Sequence, residues 1–123
     1  MILKTYARVV TGDMEVTLDV LRALTGKELD LRFKVAEVEI AAIGDFCVVA
    51  APTEQHKALR EIVGPVIVDD LDQTRACLLG QGAVVVQDRF DAPTGSVLYA
   101  RNKDGVVVEW LEFSAEYLLK FSL

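Results

Sequence analysis

Apolar and polar positions along this chain change period several times, and the changes mark its elements. Residues 12–26 (GDMEVTLDVLRALTG) repeat apolar side chains three and four apart, behind an aspartate suited to cap a helix N-terminus. Residues 69–83 (DDLDQTRACLLGQGA) do the same. The two stretches align at a constant offset of 57, which pairs Asp13 with Asp70, Met14 with Leu71, Glu15 with Asp72, Thr17 with Thr74 and Leu21 with Leu78. In both, an acid follows in the first turn, where the helix dipole favours it.

Each predicted helix is preceded by a strand-like run, TYARVV or GPVIV. After the first come LRFKVAEVEIAAIG and DFCVVAAP; after the second come AVVVQDRF, SVLYARN and VVVEWLEF. The pattern is β-α-β-β-β written twice. It predicts an α+β fold in which two βαβββ repeats form curled sheets around a concave cup. One domain is expected over 1–123: a first repeat at 3–51, a linker with a short helix at 52–64, a second repeat at 65–113 and a C-terminal tail at 114–123. Open sheet edges need covering, so a homodimer is expected. The tail is a candidate to help cover them, because Tyr117, Leu118 and Phe121 recur at helical spacing with no evident use within the chain.

Alternation along the strands sorts side chains between faces. In TYARVV, Ala7 and Val9 belong to the helix side, and Tyr6 and Arg8 to the concave side. In VVVEWLEF, Glu109 shares a face with Val107 and Leu111, with Val108 and Trp110 behind. If the turn NKDG leaves Arg101 opposite Val106, then Leu98 and Ala100 flank Glu109 across the hairpin. Glu37 and Glu39 alternate with Val38 and Ile40, as a solvated strand face or a polar part of the cup. Glu109 stands out. A carboxylate among valines, a Trp and a Leu costs several kcal/mol to bury unless it is paired, hydrogen-bonded or bound to a ligand.

Composition narrows the class. With 52% hydrophobic and 26% charged residues, the chain is globular, and its apolar runs fall well short of the roughly 20 residues a membrane helix needs. A soluble, cytoplasmic protein is expected. Cys47 and Cys77 lie in apolar segments and read as reduced thiols. Nineteen acidic against 13 basic residues give a net charge of −6, which repels phosphate backbones and anionic lipid, so neither nucleic acid nor membrane is an expected partner.

The C-terminal PTGSVLYARNKDGVVVEWLEF, supported by VDDLDQTRACLLGQGA before it, resembles the ending of the vicinal oxygen chelate superfamily. That superfamily includes glyoxalase I, extradiol dioxygenases and the fosfomycin- and bleomycin-resistance proteins. Asn102-Lys103 replaces the usual Asp-Pro of its turn. The resemblance implies four metal-ligand positions, two on first strands and two on last strands, which fall here on Tyr6, Val49, Val63 and Glu109. Valine coordinates nothing, so neither metal nor cofactor is expected. The lone histidine, His56, lies in the linker and reads as a solvated surface residue. The resemblance therefore implies a metal-free small-molecule binder of the bleomycin-resistance type that sequesters a cationic or aromatic compound. Its expected ligand-binding residues are Tyr6, Arg8, Val49, Val63, Leu98, Glu109 and Leu111, and Trp110 is a further aromatic compatible with that ligand. The alternatives are an interaction module whose cup is filled by its own side chains, or a lyase, isomerase or dioxygenase of the same superfamily. In the enzyme, Glu109 serves as general base or residual metal ligand, and Tyr6 or Arg8 stabilises an oxyanion.

Overall fold

The computed structural model describes all residues from Met1 to Leu123. The first strand-like run is broken at Tyr6 into β1 (Ile2–Thr5) and β2 (Ala7–Thr11), which join different sheets. The elements that follow are α1 (Met14–Thr25), β3 (Leu31–Val35), β4 (Val38–Ile43), β5 (Phe46–Ala50) and, after a 3-10 turn at Thr53–Gln55, α2 (His56–Arg60). The remainder comprises β6 (Ile62–Val68), α3 (Leu71–Gly80), β7 (Val84–Ala92), β8 (Gly95–Arg101), β9 (Val107–Phe113) and α4 (Ala115–Lys120). The expected βαβββ order therefore occurs twice, as β2-α1-β3-β4-β5 and as β6-α3-β7-β8-β9. The chain divides into two compact units, Tyr6–Glu61 and Met1–Thr5 with Ile62–Leu123.

Within Tyr6–Glu61 the sheet order is β2-β5-β4-β3, with β2 parallel to β5 and the other pairs antiparallel. Asp13 caps α1 by accepting a hydrogen bond from the Val16 amide, and Gly26 ends it in the left-handed conformation, its N–H bonded to the Arg22 carbonyl. Met14, Leu18 and Leu21 pack on Ala41, Ile43 and Val48, with Val9 beside them. Leu18 is fully buried, and such burial contributes about 2 kcal/mol per large aliphatic side chain. Glu39 lies on this α1 side, held in a two-point pairing by Arg32, which also reaches Glu15 of α1. Its carboxylate is spent on the helix, so it does not contribute to a concave face; Glu37 is an exposed turn residue.

In the other unit the order is β1-β6-β9-β8-β7. Asp70 caps α3 through the Gln73 amide, as the offset of 57 requires. The core under α3 is Val68, Leu71 and Leu98, with Leu78, Val85 and Trp110 against it. The Leu71 amide donates to Glu112 Oε1 of β9 at 2.7 Å, and Arg89 bridges Asp72 and Glu112. Arg75 pairs with Asp88 of β7 at 2.8 Å and holds that carboxyl below its ordinary range. These links fix α3 to one face of the sheet.

The tail is used within its own unit. Its helix α4 packs Tyr117 and Phe121 against Phe113, with ring centroids 6.1 and 5.3 Å away, so the aromatic spacing serves β9. Both cysteines are free; Cys47 is buried, whereas Cys77 is exposed on α3.

Candidate functional site

The hairpin between β8 and β9 determines what surrounds Glu109. Asn102 N–H donates to the Val106 carbonyl, Val106 N–H to Asp104 Oδ1, and Gly105 takes a positive φ of 95°, closing a five-residue loop over 102–106. Arg101 consequently pairs with Val107, one position on from the four-residue loop expected, and Glu109 stands opposite Tyr99. A one-residue slip exchanges faces. Leu98, expected beside Glu109, is 1% exposed in the core under α3, opposite Trp110, and Ala100 is on that same side. Thus the aromatic neighbour of Glu109 is Tyr99; Trp110 is spent on the core.

Glu109 is half-buried on the sheet face away from α3. Leu111 shares that face, as do its register partners Val97 on β8 and Ile67 on β6. Beyond Tyr99 the next strand places Gln87, so Gln87, Tyr99 and Glu109 form a row across β7, β8 and β9. Phe90, in register with Val97, stacks on Tyr99 with centroids 5.9 Å apart and planes 12° from parallel. Tyr99 and Glu109 both already have interaction partners, which offsets part of the cost of burying the Glu109 carboxylate.

On the other flank of Glu109 the β6 ladder is interrupted. Val63 pairs with Val108 and Val66 with Trp110, leaving Gly64 and cis-Pro65 together opposite Glu109. A Cβ on Gly64 would stand 3.0 Å from the Glu109 carbonyl oxygen and 2.8 Å from the Val66 nitrogen, so only glycine permits this approach. The bulge alters the expected role of Val63. Its register partner is Val108, on the α3 side, and Val63 is itself 48% exposed rather than lining the face of Glu109.

In the other unit, Arg8 pairs with Cys47 and Val10 with Val49, on the face opposite Val9 and Val48 of the α1 core, as alternation predicts. Val49 is 2% exposed and Tyr6 only 4%. Burial, then the nearby Asp30, Cys47 and Asp45, pushes the Tyr6 phenol up to about 12. A phenol so reluctant to ionise is a hydrogen-bond donor at neutral pH and a poor metal ligand. His56 is not a solvated linker residue; it is half-buried, with Nε2 2.7 Å from the Ala51 carbonyl oxygen, a contact that ties α2 to the end of β5.

The four positions at which the resemblance places metal ligands do not make a donor set. Two are valines, one of them off the expected face, and the third is this neutral tyrosine. No group of three or more His, Cys, Asp or Glu side chains anywhere in the chain could hold a metal ion. No helix is long and apolar enough to cross a membrane.

Reasoning from sequence missed Gln87, Phe90 and Tyr99. Strand alternation alone would have placed Gln87 and Phe90 on opposite faces, and only the loop length reveals that Tyr99 faces Glu109.

No family model matches the chain, and no curated protein does. Solved structures match over nearly its whole length. An uncharacterised protein from Methanosarcina mazei is 28% identical with a TM-score of 0.86, covering 93% of this chain and 94% of its own. Methylmalonyl-CoA epimerase from Mycobacterium tuberculosis is 16% identical with a TM-score of 0.76, covering 96% and 93%. A methylmalonyl-CoA epimerase in complex with methylmalonyl-CoA and ammonium is 18% identical with a TM-score of 0.70, covering 94% and 97%. The chain has the fold of these proteins, the α+β glyoxalase or vicinal oxygen chelate fold.

Proposed function

We propose that this protein is a small-molecule binder of the vicinal oxygen chelate superfamily that holds an organic cation at Glu109 without a metal ion. The observation carrying this is the setting of Glu109: a half-buried carboxylate in register with the half-buried Tyr99, beside the buried aliphatic side chains of Val97, Leu111 and Ile67 on the same sheet face. A carboxylate between an aromatic ring and an aliphatic wall favours a cationic partner with apolar surface. The overall charge of −6 favours the same sign of ligand.

The likeness to epimerases solved with coenzyme A esters supports a second reading, an isomerase in which Glu109 moves a proton as general base. The absence of a fitting donor set weighs against a metal-assisted form of that chemistry.

A thermal-shift screen separates the two. Proflavine, a flat aromatic cation, should raise the melting temperature, and at a hundred times its dissociation constant should add about 2.7 kcal/mol of stability. Stabilisation by methylmalonyl-CoA or a catechol but not by proflavine, with racemisation of the thioester, would instead establish the enzyme.

A further inference from the structure

We infer that the ligand is a flat, fused-ring cation about 10 Å long, packed against the stacked pair of Phe90 and Tyr99 with its positive end at Glu109 and its other end at Gln87. This rests on the reading of Glu109 as a binding acid and adds the ligand's shape. The row Gln87, Tyr99, Glu109 runs across three neighbouring strands. At about 4.8 Å per strand it spans about 10 Å, roughly the length of three fused rings.

The ring pair offers faces rather than edges. Phe90 and Tyr99 are stacked on each other with planes 12° apart, and both are only half-buried, so a flat ring laid against the outer face of the pair extends the stack. Aromatic faces also attract cations, which suits a ligand whose charge is spread over the ring system.

Strand β7 is distorted in the way this stacked pair needs. Residues 87 and 90 would face opposite sides of a regular strand, but the register shifts between Val85 and Gln87 and again between Gln87 and Phe90. The residues between them are drawn to α3: Asp88 by Arg75, and Arg89 by Asp72 and Glu112. Gln87 and Phe90 are thereby left to pair with Tyr99 and Val97 on the face of Glu109. The exposed Gln87 amide supplies a hydrogen bond for a polar group at the ligand's far end.

The test is fluorescence titration of the full chain with proflavine and with the aromatic anion 1-anilinonaphthalene-8-sulfonate, and competition of the non-aromatic cation tetraethylammonium against bound proflavine. Proflavine should bind one per chain. Phe90→Leu and Tyr99→Leu should each weaken it about tenfold, the scale of one lost stacking contact, while Phe90→Tyr keeps it. Gln87→Glu, at an exposed position that folding tolerates, places an acid at the second amino group of proflavine and should tighten binding severalfold. If Glu109→Gln weakens proflavine but Phe90→Leu and Gln87→Glu leave it unchanged, or if tetraethylammonium binds as tightly, the stacking is wrong and the binding acid stands. If Glu109→Gln leaves proflavine unchanged, or the anion binds equally well, the reading of Glu109 itself is overturned.

Discussion

Glu109 was legible in the sequence as a carboxylate out of place, but its neighbours were not. They depend on whether Val106 belongs to the strand or to the loop, and the positive φ of Gly105 with the Asp104 side-chain bond decides for the loop. The sequence contains both turn residues without showing which turn they close. Two predictions belong at this scale. Glu109→Gln keeps shape and removes charge; it should leave the melting temperature near or above that of the native chain while weakening proflavine about tenfold, since binding sites are commonly held at some expense of stability. A clear loss of stability with binding intact, measured by calorimetric melting and titration, would make Glu109 structural. The second concerns Tyr6. Its phenol stays neutral in the folded chain to about pH 12, whereas in the unfolded chain it ionises near 10. The folded state thus binds the proton more tightly. Its stabilising contribution is complete below pH 10 and is lost between pH 10 and 12, by about 2 to 3 kcal/mol. Denaturant melts of the native chain and Tyr6→Phe should diverge across that window and run parallel below it.

At the scale of elements, the sequence was most reliable where one local rule acts alone. The two aspartate caps at Asp13 and Asp70 are formed as the offset of 57 predicts, because a cap needs only its own helix. Features set by several strands at once were not readable: the break at Tyr6 that sends β1 and β2 to different sheets, the bulge at Gly64-Pro65, and the two shifts in β7. The resemblance counted Val63 among the ligand-binding positions, but the bulge moves it out of the face of Glu109. Leu98 is the sharpest check on the corrected register. Leu98→Ala removes a fully buried side chain from beneath α3 and should cost about 2 to 5 kcal/mol with proflavine affinity unchanged. Were Leu98 beside Glu109 after all, affinity would fall with stability.

For the whole molecule, two βαβββ units of one fold carry different faces, which a repeat detected from its helices cannot reveal. Homodimerisation is expected on surfaces other than the tail. Val16, Val20 and Leu24 form an exposed apolar stripe along α1, 60%, 52% and 80% exposed, while the tail aromatics are spent on Phe113. Sedimentation should give a dimer mass at micromolar concentration. Truncation after Ser114 should lower stability by uncovering Phe113 without changing that mass; a monomer in the truncated chain alone would return the tail to the interface. The most direct test of the central claim, that Glu109 holds an organic cation and no metal, is calorimetric titration of the chain, purified without chelator, with proflavine and separately with cobalt, nickel and zinc ions. One proflavine site per chain, lost in Glu109→Gln, with no stoichiometric metal heat, is the predicted result; one metal per chain whose binding Glu109→Gln abolishes would contradict it.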